Sequence, residues 1–110
     1  MEIIHSISEF DSLIAHHEAV LVYFSSNSCQ VCHVLKPKVE KMISECFPRL
    51  RMFSVESDRS PDLAAQHNVF TAPTLIVFFD GHEAIRKSRS FSIDELKLAI
   101  ERPYLMCFGN

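Results

Sequence analysis

Residues 19–25, "AVLVYFS", constrain this chain more than any other stretch. The run is apolar and β-prone, with no polar position until its end. A strand with one face in water alternates apolar and polar residues. A run that does not alternate must be covered on both faces, the usual condition in the middle of a partly parallel sheet. A second run, "TLIVFF" (74–79), reads as another strand.

Helices and strands alternate around these runs. Residues 2–5 read as a short first strand. Ser8 reads as the N-cap of a helix reaching about His17, with Phe10, Leu13 and Ile14 on one face. A second helix opens around Cys29, where Leu35, Val39, Met42, Ile43 and Cys46 form an apolar stripe. Pro37 removes a hydrogen bond inside it and is expected to kink it. Phe47-Pro48 ends it, and residues 50–57 alternate as a third strand. Ser60-Pro61 opens a short helix to His67. Asp80-Gly81 sits between two strand-like runs, the strongest short hairpin signal, so "HEAIRKS" (82–88) is the last strand. Ser92 caps a final helix carrying Ile93, Leu96 and Ile100. The tail "PYLMCFGN" is apolar but broken and is assigned to no element. The expected fold is α/β, ordered β-α-β-α-β-α-β-β-α. Right-handed βαβ crossovers and one hairpin give a mixed sheet of about five strands with helices on both faces.

At 110 residues the chain fits a single domain, 1–110. A chain of this size buries roughly two-thirds of its unfolded surface, enough for a core without disulfide staples. Net charge is −3 with no basic stripe, which argues against a nucleic-acid partner. The apolar runs are too short to span a bilayer, so no membrane role is expected. The start, "MEIIHSISEF", lacks the pattern of a signal peptide, and a cytoplasmic location is expected.

Chemistry concentrates in "SSNSCQVCH" (25–33). A C-x-x-C-H pattern fits haem attachment, half a zinc site or a redox dithiol. Haem attachment goes with an exported chain and needs a further iron ligand. A closed zinc site needs four ligands, and only His33, His67, Cys46 and Cys107 are there to complete it. Cys46 falls on the apolar stripe and reads as a small hydrophobe. Cys107 reads as a tail thiol. The redox reading follows from position, because a buried strand hands over to a helix N-terminus at this point. Unpaired backbone N–H groups and the helix dipole favour a thiolate there. A thiol with a pKa near ~8.5 is only about 3% ionised at pH 7; one tuned to ~7 is about half ionised. Cys29, at the tip, is expected to attack a substrate disulfide. Cys32, one turn deeper, is expected to resolve the mixed disulfide. Gln30 and Val31 lie in the segment that tunes the pair. His33 either supports the Cys29 thiolate as a cation or lies solvated on the helix. No metal site is expected.

The sequence resembles the thioredoxin family over nearly its whole length. The resemblance rests on the buried strand, Cys29-Gln30-Val31-Cys32 opening a helix, and Pro37 five residues beyond. It rests also on Ala72-Pro73-Thr74 leading into an apolar strand and on the Asp80-Gly81 hairpin. It implies a thioredoxin-like fold, a cis Pro73 facing the dithiol, and a client peptide pairing with the backbone of Ala72. It implies a cofactor-free, monomeric protein-disulfide oxidoreductase working through a redox-active disulfide. Its partners would be disulfide-bearing client proteins and an upstream thiol reductase. Several residues depart from the family pattern. Ser28 replaces the usual tryptophan of the docking surface, and Phe70 is the candidate to compensate. Tyr23 replaces the usual buried acid, Ser54 the lysine that often pairs with it, and Arg89 a frequent glycine. Without the acid, the Cys32 proton lacks its usual acceptor, so slow resolution is expected. These losses also support a different reading, a thioredoxin-like adaptor whose dithiol turns over poorly.

Overall fold

The computed structural model describes residues 1–109. The strands are β1 (Glu2–Ile3), β2 (Ala19–Ser25), β3 (Arg51–Glu56), β4 (Thr74–Phe79) and β5 (His82–Ser88). The helices are α1 (Ile7–His16), α2 (Gln30–Cys46), α3 (Pro61–Gln66) and α4 (Ile93–Phe108). The five strands form one sheet in the order β1-β3-β2-β4-β5. β3 pairs parallel with β1 and β2, whereas β4 runs antiparallel to both β2 and β5. The element order and mixed sheet match the sequence reading.

β2 lies at the centre, and its period-two geometry divides the core. Ala19, Leu21 and Tyr23 face a cluster with Val39, Met42 and Ile43 of α2 and Leu96 and Ile100 of α4. Val20, Val22 and Phe24 face the opposite cluster, with Phe10 of α1 and Leu63 and Ala64 of α3. β4 divides the same way, Leu75 and Val77 against Ile76 and Phe78. This two-sided burial is why neither strand alternates. At the hairpin, Asp80 and Gly81 both have positive φ (51° and 80°), as a tight two-residue connection requires.

Four elements differ in their boundaries from the sequence reading. The N-cap of α1 is Ser6, not Ser8: the Ser6 hydroxyl accepts from the Glu9 amide at 3.1 Å, while the Glu9 carboxylate accepts from the His5 amide at 2.7 Å. This reciprocal arrangement satisfies two backbone donors at once. β1 and β3 are shorter than expected. The tail is helical, with α4 continuing through Pro103 to Phe108. Tertiary contacts override the proline there. The Tyr104 ring packs on Phe47 at 5.0 Å, and its hydroxyl accepts from the Arg49 amide at 3.1 Å. The Arg49 guanidinium lies 4.2 Å over the Phe108 ring.

His67 ends α3 within an aromatic cluster, stacked on Phe10 at 4.0 Å. Burial holds its pKa below the usual 6.5; Asp11 and Glu83 oppose the shift and Arg86 reinforces it. The unfolded chain therefore binds more protons than the folded one just below that value. Stability is full above about pH 6.5 and is expected to fall as pH drops toward the folded-state pKa. Urea unfolding of wild type and His67→Phe across this range checks the effect. The difference between the two proteins should shift in favour of the variant as pH falls.

Candidate active site

Ser25 ends β2, and its carbonyl accepts from the Ser57 amide at 2.8 Å, fixing the strand end against the segment after β3. The chain then turns through residues 26–28 into α2, with Cys29 as N-cap. The Cys29 sulfur accepts from the Cys32 amide at 3.2 Å, so the side chain satisfies one of the open donors of the first turn. Cys29 and Cys32 are joined by a disulfide, with their Cα atoms 5.3 Å apart. The two differ in accessibility: Cys29 is half-buried at the helix tip, whereas Cys32 is 1% exposed and belongs to the core beneath α2.

The Ala72–Pro73 peptide is cis, and Pro73 is buried. The Thr74 hydroxyl donates to the Thr71 carbonyl at 2.7 Å and the Arg89 amide to the Pro73 carbonyl at 2.8 Å, bracing the segment from both sides. A groove of about 640 Å³ joins Cys29, Gln30 and Val31 to Ala72 and Pro73, with Leu35, Phe91 and Arg89 completing its wall. Its surface is mainly apolar. A second groove, about 380 Å³, lies on the other side of Ala72 and carries Phe70 and Asp58.

The other candidate residues fall in distinct places. Phe70 is 79% exposed, on the second groove rather than beside Cys29. Ser28 is exposed next to Cys29 and lines neither groove. The exposed His33 ring donates through Nε2 to the Asn27 carbonyl at 3.1 Å, bracing the turn before Cys29. Cys46 packs half-buried against the α2–α4 core. Cys107 is half-buried on α4, and burial, followed by Asp80 and Glu18, pushes its thiol pKa up. Among the described residues, no three His, Cys, Asp or Glu side chains come together to hold a metal. Leu35, Phe91 and Arg89 were not legible as site residues. Leu35 is part of the helical stripe, Phe91 has no distinguishing pattern, and Arg89 stood out only as a non-glycine at a glycine position.

Tyr23 is fully buried behind the dithiol. Its hydroxyl donates to the Cys32 carbonyl at 2.9 Å. Burial pushes its pKa up to about 12, so at neutral pH it is a fixed donor and not a base. Ser54, its register partner on β3, is buried as well. Tyr23→Phe should therefore lower stability by about 1 kcal/mol, the net worth of one lost buried hydrogen bond. The pH profile of thiol exchange between pH 6 and 8 should keep its shape, which stopped-flow kinetics would check. A lost inflection would mean that the hydroxyl titrates in the reaction.

Comparison with known proteins agrees with this geometry. The family model described as Thioredoxin matches residues 2–102. The thioredoxin-like protein YdfQ of Bacillus subtilis is 28% identical over 107 residues, covering 97% of this chain and 95% of its own. Thioredoxin-1 of Saccharomyces cerevisiae is 35% identical over 79 residues, 72% of this chain and 76% of its own. The structure of Fasciola hepatica thioredoxin superposes with a TM-score of 0.83 at 27% identity, covering 93% of this chain and 98% of that one. No helix among the described residues is long and apolar enough to cross a membrane.

Proposed function

We propose that this chain, which belongs to the thioredoxin family, reduces disulfides in client proteins through Cys29 and Cys32. One observation carries the reading. An accessible sulfur at a helix N-terminus is joined to a buried sulfur one turn deeper, beside an apolar groove braced by Pro73.

In the reduced protein, the Cys32 amide and the open end of α2 favour a thiolate at Cys29. That thiolate attacks one sulfur of the client disulfide. A Cys29–client bond forms, the client S–S bond breaks, and the second client sulfur leaves as a thiolate that takes up a proton. Cys32 then loses its proton and attacks the Cys29 sulfur. The mixed disulfide breaks, the first client sulfur departs and the Cys29–Cys32 bond closes. Two electrons have passed from protein to client. A thiol reductase, or a small dithiol in its place, returns them. No bound cofactor enters the cycle. The burial of Cys32 keeps other thiols and disulfides from the resolving sulfur, and Tyr23 provides no base for its proton, so resolution is the slow step.

Ser28 and Tyr23 also favour a second reading, in which the groove holds partners with little turnover. Trapping in cell extract separates the two. Cys32→Ser should accumulate mixed disulfides that dithiothreitol releases, and Cys29→Ser should accumulate none. Insulin reduction driven by dithiothreitol should fall to background in Cys29→Ser. Partners held equally by both variants, with no reduction by wild type, would favour the adaptor.

A further inference from the structure

The Ala72 segment separates two grooves of opposite charge. Arg89 is the one charged residue lining the larger groove, which also contains Cys29. Asp58 is the one charged residue lining the smaller groove, beside Phe70. Ala72 lines both. A peptide extended across Ala72 therefore has one flank over a cation and the other over an anion.

Arg89 is held in place by its backbone and left open at its side chain. Its amide donates to the Pro73 carbonyl at 2.8 Å. Its φ is 63°, a conformation that favours glycine. The side chain is exposed, and no carboxylate of the described residues pairs with it. A long cation thus stands where the backbone would prefer no side chain, on the rim of an apolar groove that holds the attacking sulfur. Asp58 is fixed differently, because its carboxylate accepts from the Asn27 amide at 3.2 Å, in the turn leading to Cys29.

We infer that Arg89 is a specificity-determining residue, selecting clients with an acidic residue on one flank of the reacting cysteine, while Asp58 disfavours an acid on the other. This inference rests on the exchange function proposed above. The chemistry is unchanged; the charges act on docking and approach, where complementary groups set encounter rates and reject wrong partners.

The test uses reduced full-length protein and symmetrical disulfides of short peptides. Each peptide carries Glu or Gln about two residues before or about two residues after its cysteine, within reach of the grooves at roughly 3.3 Å per residue. Release of peptide thiol is followed by chromatography, with Cys29→Ser as background. The reading is the Glu/Gln rate ratio at each flank, so a general change in activity cancels. In wild type the ratio should be about three at one flank, the scale of an exposed ion pair, and below one at the other. High salt should bring both toward one. Arg89→Gly, which suits the local φ, should bring only the favoured flank to one, and Arg89→Glu should invert it. Equal ratios at both flanks, or a preference that survives in Arg89→Gly, would overturn the inference while leaving the exchange function standing. No reaction with any peptide would overturn the exchange function and this inference with it.

Discussion

The hydrogen bond from the Cys32 amide to the Cys29 sulfur joins the fold to its chemistry. It exists because a helix begins where a buried strand ends. β2 is covered on both faces, so its direction and end point are fixed by the core. α2 packs back onto one of those faces through Val39, Met42 and Ile43. The open amides of its first turn are thereby held just beyond the C-terminal end of the central strand. A sulfur at the N-cap meets them. The same packing draws Cys32 into the core and leaves Cys29 accessible, so two chemically identical residues acquire different environments.

Tyr23 fills a core position where the family resemblance implies an acid. The ring completes the apolar cluster around α2, and the hydroxyl satisfies the Cys32 carbonyl. A carboxylate there would accept a proton, but would also have to bear the cost of burial. A phenol with its pKa pushed up to about 12 stays neutral. In our account, this protein gains a satisfied core at that position and gives up an internal base. In the function we propose, slow closure by Cys32 follows from Tyr23, whereas attack by Cys29 is set by the helix N-terminus.

The parts of the structure legible in the sequence are those set by local pattern. β2 and β4 were readable because a doubly buried strand cannot alternate, and Asp80-Gly81 because few residues adopt two positive φ values in succession. The Cys29 N-cap followed from a strand-to-helix junction with a C-x-x-C at its start. The cis Ala72–Pro73 bond was legible only through resemblance, since nothing in "APT" itself requires it. What escaped depends on contacts between distant segments. The start of α1 turned on the reciprocal bonds of Ser6, His5 and Glu9, while Ser8 offered an equally suitable hydroxyl. The helical tail depends on Arg49 and Phe47 meeting Tyr104 and Phe108, and no local rule predicts a helix through Pro103. The groove is assembled from α2, the Pro73 segment and residues 89–91, so Arg89 gained meaning only once these were brought together.

The most direct test of the account is the alkylation rate of each thiol in the fully reduced protein at pH 7, followed by mass spectrometry with iodoacetamide. Cys29 should react first, and about ten times faster than free glutathione, because a helix-tip sulfur is largely ionised where an ordinary thiol is not. Cys32 should be the slowest of the pair. A Cys29 that reacts no faster than glutathione, or more slowly than Cys107, would contradict the claim that the helix N-terminus activates it.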